Sequence, residues 1–152
     1  MAEVENLREF KIFEELNERE LETIAKVART EELGPGAHLT QVGATASHLY
    51  LVMRGRVTIM ARGPQGKEVP VDEVGPGNIV GWSTLTGPYL YTASTVTADK
   101  SMLIVINGNK LRQIFEVNNH VGYRVLKGIG SVVARRLAAI EAKCAVNCVE
   151  NG

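Results

Sequence analysis

Residues 79–94 read IVGWSTLTGPYLYTAS. Gly81, Ser83, Thr84, Thr92 and Ala93 supply a small turn residue, three hydroxyls and an uncrowded backbone, the materials of a loop that cradles an anion. The cation that such a loop wants is missing. No Lys or Arg lies between Lys67 and Lys100, whereas Glu68, Asp72, Glu73 and Asp99 do. Trp82 and Tyr91 stand where charge is expected. Burying a phosphate there without a counter-charge would cost several kcal/mol. Backbone N–H groups at the start of a short helix near Trp82–Leu85 would have to hold it nearly alone.

Other chemistry has little to work with. His38, His48 and His120 are scattered and form no His-x-His metal pair. There is no Gly-x-Ser-x-Gly, no Cys–His nucleophile pattern and no Gly-Lys-Ser/Thr phosphate loop. No catalytic residue, metal ligand or cofactor is assigned, and the chain is not expected to be an enzyme. Cys144 and Cys148, one helical turn apart, read as reduced thiols. The ARR run at 134–136 reads as a solvated helix face or a bridge to Glu141.

The 152 residues carry 17 basic and 17 acidic side chains, so the formal net charge is zero. That leaves no electrostatic footprint for DNA, RNA or an anionic membrane. The N-terminus MAEVENLREFK is charged throughout, and the longest apolar run, MLIVI at 102–106, is too short to span a bilayer. These features predict a cytoplasmic protein of one domain, residues 1–152.

The elements that must position the loop follow from spacing. Asn17 with Glu20 is a capping box, and Leu21, Ile24, Ala25 and Ala28 form one helical stripe. From about residue 29 to 107, turn signals recur at 34–36, 43, 54–55, 63–66, 75–77 and 87–88. HLYLVM and RVTIM, flanking Gly55, read as a hairpin. KEVPVDEV alternates, placing Val69, Val71 and Val74 on one side. TASTVTA and SMLIVI are further strands. About eight short strands predict a mainly β, double-sheet jelly roll with flanking helices.

After Asn107, GNKLRQIFEV is a short helix, and NN at 118–119 caps a long one through about 144, with the C-terminal segment taken as 118–145. Its length, near 38 Å at 1.5 Å per residue, exceeds what one face of a small roll can cover. The surplus predicts a homodimer through Val125, Ile129, Val132, Val133, Leu137 and Ile140. Gly128 and Gly130 would permit a bend or a close helix–helix approach.

This order of elements resembles the cyclic nucleotide-binding domain family, the sensor half of catabolite activator protein and of the protein kinase A regulatory subunit. The resemblance runs from about Phe10 to Lys143. GPGAHLTQVGATASHLYLVMRGRVTIM looks like the family's glycine-punctuated strands, VGPGNIVG like its Gly-Asp-x-Phe-Gly, and LRQIFEVNNH and ARRL like the segments that follow the roll. It implies an eight-stranded roll and makes the opening loop a phosphate-binding cassette. The family's cassette Arg, which neutralises the cyclic phosphate, then falls on Tyr91, and its ribose-binding Glu falls on Trp82. Gly81, Thr92 and Ala93 keep the pattern. The base-contacting hydroxyl positions of the long helix fall on Ile140 and Glu141, which carry no hydroxyl.

The resemblance therefore implies a standalone regulatory or sensor domain that does not hold cyclic AMP in the usual way. The ligand site is expected at Gly81, Trp82, Ser83, Thr84, Tyr91, Thr92 and Ala93. Three readings stay open. Trp82 and Tyr91 fill the pocket and leave a protein–protein interaction module; a neutral or aromatic effector stacks on Trp82, oriented by Ser83, Thr84 and Thr92; or a cyclic nucleotide binds through unusual contacts. The chain stops at CAVNCVENG with no recognition helix, so no direct DNA binding is expected.

Overall fold

The computed structural model describes the backbone of residues 1–151 and the side chains of residues 1–146. Cys148 lies outside the described side chains. The chain opens with α1 (Val4–Arg8), a 3₁₀ turn (Lys11–Phe13) and α2 (Glu18–Ala25). Asn17 caps α2: its side chain accepts from the Glu20 N–H at 2.9 Å, and Glu20 accepts from the Asn17 N–H at 2.9 Å. The helix stops at Ala25, so Ala28 is the first residue of β1 and not part of the helical stripe.

Eight strands follow: β1 (Ala28–Leu33), β2 (His38–Thr40), β3 (His48–Arg54), β4 (Val57–Arg62), β5 (Glu68–Val74), β6 (Ile79–Val80), β7 (Ser94–Thr97) and β8 (Ser101–Asn107). They form two four-stranded antiparallel sheets, ordered β1-β8-β3-β6 and β2-β7-β4-β5. This is the jelly roll that the turn spacing predicts.

The hairpin expected around Gly55 is not one. β3 pairs with β6 and β8, while β4 pairs with β5 and β7, so the chain passes from one sheet to the other at Gly55. Gly55 has φ +91°, and a Cβ there would sit 2.6 Å from the Lys100 carbonyl oxygen. Only glycine fits this corner. The consecutive pair that does form a hairpin is β4–β5, across the turn at 63–67.

β3 and β8 are buried on both faces, which explains their unbroken apolar runs. Leu49, Leu51, Ile104 and Ile106 face the helices, and Val52, Leu103 and Val105 face the opposite sheet. All seven are at most 1% exposed, each worth roughly 1.5–3 kcal/mol of burial. β5 behaves differently. A bulge between Ile59 and Met60 slips its register, so Asp72 and then Pro70 oppose that pair and Val71 is extra. The alternation is broken: Val74 is buried, but Val69 and Val71 are 41% and 45% exposed on this edge strand. The expected common face for the three valines does not exist.

α3 (Gly108–Val117) is capped by Asn107, whose side chain accepts from the Lys110 N–H at 3.0 Å. Asn118 accepts from the Val121 N–H, opening α4 (Asn119–Asn151). At 33 residues α4 is longer than the helix ending near 144 that the sequence predicts. Its first turns lie against the N-terminal segment. Gly128 is the point of closest approach: a Cβ there would stand 2.9 Å from the Ile12 Cα. Gly130 faces open space.

Val125, Ile129 and Val132, placed above in an intermolecular stripe, are 0%, 2% and 8% exposed within one protomer. They belong to the core with Leu7, Phe10, Ile12 and Phe13. Val133 is half-buried, and Leu137 and Ile140 are 54% and 49% exposed. Of the expected interface set only Leu137 and Ile140 face outward, because Val133 packs against the core.

Candidate functional site

The cassette segment forms a 3₁₀ turn at Trp82–Leu85, entered through Gly81. Gly81 has φ +83°, and a Cβ there would lie 2.8 Å from the His48 carbonyl oxygen. The glycine thus serves a left-handed turn pressed onto β3. The loop returns along residues 41–46: Gly43 N–H donates to the Tyr91 carbonyl at 2.9 Å, and Tyr91 N–H to the Ala44 carbonyl at 2.9 Å.

A small cavity lies between this segment, the β2-β7-β4-β5 sheet and α4. Thr40, Ile59, Val80, Gly81, Trp82, Ser83, Tyr91, Thr92, Ala93, Thr95 and Arg136 line it, and its open space is about 40 Å³. Six of the seven expected site residues meet there. Thr84 does not. Its side chain is fully buried against Gly108, where a Cβ would clash first with the Thr84 hydroxyl oxygen, and that hydroxyl finds no partner among the described residues.

Tyr91, which the resemblance sets against the family's arginine, is 6% exposed. Its hydroxyl donates to the His48 carbonyl at 2.7 Å and accepts from the His48 N–H at 2.9 Å. The phenol is therefore a structural bridge from the cassette to β3. Burial, with neighbouring Tyr91 and Glu31 contributing, pushes the Tyr50 hydroxyl up to about 12. It donates to the Leu39 carbonyl at 3.1 Å. Thr40 and Thr95 bond each other at 2.9 Å, and Thr40 also donates to the Ala93 carbonyl.

Two of the acids that made this stretch look negative are paired. Arg56 lies 2.7 Å from Asp99 and 3.4 Å from Glu73. The Arg56 hydrogen bond holds the Asp99 carboxyl below its usual value. Glu68 accepts from the Ser94 hydroxyl at 2.8 Å.

The residue that the sequence reading missed is Arg136. It is neither solvated nor bridged to Glu141. Its guanidinium carbon lies 4.6 Å from the Trp82 ring centroid, and Nη2 donates to the Ile79 carbonyl. Nη1 is buried with no partner among the described residues. Burial lowers the Arg136 pKa; Asp72 opposes that shift and Arg135 adds to it. A charged donor left unmade in a protein interior costs about 1–3 kcal/mol or more. So the cavity does have a cation, delivered by α4 instead of the cassette. The signal was present: residues 125, 129, 132 and 136 fall on one helical face, and the first three are core.

The family profile for the cyclic nucleotide-binding domain matches residues 30–118, more than half of the chain. The chain belongs to the cyclic nucleotide-binding domain family. No curated protein sequence matches it significantly. Among solved structures it is similar to a protein from Geobacter metallireducens GS-15, provisionally described as a cyclic nucleotide-binding protein. That match has 28% identity and a TM-score of 0.81, over 90% of this chain and 99% of the other. It also resembles the catabolite activator protein of Thermus thermophilus (20% identity, TM-score 0.71, 90% of this chain and 62% of that one). A third similar fold is the regulatory subunit of a cAMP-independent protein kinase A from Trypanosoma brucei, in a triple mutant bound to cAMP. Its identity is 22% and its TM-score 0.73, over 85% of this chain and 45% of that one.

Members of this family typically regulate other activities and do not catalyse reactions. No described helix is long and apolar enough to cross a membrane.

Proposed function

We propose that this is a cyclic nucleotide-binding-like regulatory domain whose pocket does not take cyclic AMP in the family's usual way. One observation carries the reading: Tyr91, which the resemblance sets against the family's arginine, is buried and bonded in both directions to the His48 backbone. A phenol so committed cannot neutralise a cyclic phosphate. Trp82, at the position of the ribose-binding glutamate, lies under Arg136 and helps to reduce the cavity to about 40 Å³, far short of a nucleotide. The Trypanosoma brucei relative supports the same logic. It is called cAMP-independent, and the form with cAMP bound carries three substitutions, one of which turns threonine into arginine.

In this reading residues 1–152 act as one domain. Its output is the position of α4, which touches the pocket through Arg136 and exposes Leu137 and Ile140 beyond it. A second copy of the chain, docking on Val133, Leu137 and Ile140, is the proposed partner, and the proposed setting is the cytoplasm.

The test is a gain of function. Isothermal titration with cyclic AMP should show no binding to the wild-type protein. Trp82→Glu combined with Tyr91→Arg should gain affinity by roughly a hundredfold or more, taking hydrogen bonds to charged groups at about 1.5–3 kcal/mol each. Equal affinity in both proteins would remove the assignment of these positions.

A further inference from the structure

We propose that the cavity beneath Arg136 is a binding site for a small monoanion, a compact carboxylate, gripped by α4 and not by the cassette. The proposal deepens the reading of a pocket closed to cyclic nucleotides and rests on it. Arg136 is fixed on two sides: the guanidinium stacks on Trp82, and Nη2 donates to the Ile79 carbonyl. The remaining fork nitrogen, Nη1, is buried, and no protein atom among the described residues accepts from it. A preorganised, desolvated guanidinium donor is suited to a carboxylate oxygen, because charge-assisted bonds are about twice as strong as neutral ones.

The lining sets size and charge. Among the described residues no carboxylate lies within ion-pair distance of Arg136. Asp72 is near enough to stabilise the cation, and Glu68 sits on the same strand, bonded to Ser94. With these carboxylates nearby, a dianion would be repelled more strongly than a monoanion. Thr40 and Thr95 satisfy each other, which leaves the Ser83 and Thr92 hydroxyls of the lining to orient a guest. Some 40 Å³ of open space suits a compact anion. Arg136 also lies where α4 leaves the body of the protein, so an anion at Nη1 would tighten the grip of the helix on the roll.

Trp82 is the only tryptophan in the chain, so its emission reports directly on this cavity. Three titrations at pH 7.5 and constant ionic strength, balanced with chloride, decide the matter: sodium acetate, inorganic phosphate and cyclic AMP. Acetate should give a saturable change with a millimolar-range Kd, on the order of 1–10 mM for so small a ligand. Phosphate, largely a dianion at this pH, should bind more weakly. Arg136→Met should abolish the acetate response, and Arg136→Lys should weaken it by about tenfold. If circular dichroism shows Arg136→Met to be unfolded, Arg136→Lys and Ser83→Ala carry the test, and both should weaken binding.

No saturable change up to ~50 mM acetate, or an equal response in folded Arg136→Met, overturns the site. Phosphate binding tighter than acetate overturns the monoanion assignment. Cyclic AMP saturating at submicromolar concentration instead overturns the closed-pocket reading itself, so the two failures are distinguishable.

Discussion

The two halves of α4 both carry aliphatic side chains, and these have different fates. In the first half Val121, Val125, Ile129 and Val132 are at most 8% exposed, packed against the N-terminal turns and the roll. In the second half Leu137, Ile140 and Val146 are 54%, 49% and 55% exposed. Periodicity identifies an apolar stripe but not what covers it. The cover is decided by the body of the domain, which α4 touches at Gly128 against Ile12 and leaves beyond Val132 and Val133. Arg136 marks the boundary. It is the last residue of the buried face and the first charge on it, which is how a helix residue comes to line the cassette.

The comparison can be broken or sharpened by substitution. Ile129→Ala, in the covered half, should destabilise the protein by about 2–4 kcal/mol in urea unfolding, because the surrounding core cannot collapse fully onto the cavity left behind. A loss below about 0.5 kcal/mol would show that the first half of α4 is not core. Tyr91→Phe should cost about 1–3 kcal/mol, since it strands both the N–H and the carbonyl of His48.

Leu137→Ala, in the uncovered half, should change monomer stability by no more than about 0.5 kcal/mol. It should, however, lower the apparent mass in light scattering at concentrations where the wild type self-associates. If the wild type is a monomer at high micromolar concentration, the exposed stripe has no second copy as its partner.

The smallest effect concerns His48, whose backbone anchors Tyr91. Burial, with Arg29 adding and Glu31 opposing, holds its imidazole below the ordinary 6.5. As pH falls, the unfolded chain takes up this proton first. The contribution is therefore fully present above about pH 7 and declines as pH drops through 6.5 toward the folded value. Unfolding free energies at pH 7.5 and 5 should differ less for His48→Gln than for the wild type, and an equal difference would assign the pH dependence elsewhere.

Much of the fold was legible because its signals are local. The Asn17–Glu20 capping box, the Asn118 cap of α4 and the glycine punctuation all act within a few residues, and each appears as read. Strand pairing was less legible. HLYLVM and RVTIM look like hairpin arms, but Gly55 turns the chain between sheets, and only the partner strands decide that. The alternation of β5 fails at a bulge that no local residue announces. The site divides in the same way. Gly81, Trp82, Ser83, Tyr91, Thr92 and Ala93, with the flanking Val80 and Thr95, lie close together in the chain and meet at the cavity, whereas Thr40, Ile59 and Arg136 reach it only through tertiary structure. Reading the cassette alone made the pocket seem devoid of positive charge. The missing guanidinium comes from a helix more than forty residues away in the chain.

The most direct test of the account is a calorimetric titration of the wild-type protein with cyclic AMP. A phenol tied to the His48 backbone and an indole beneath Arg136 predict no saturation below about 100 μM. A submicromolar Kd, with the phosphate contacting Arg136 or any other cation in this cavity, would contradict it.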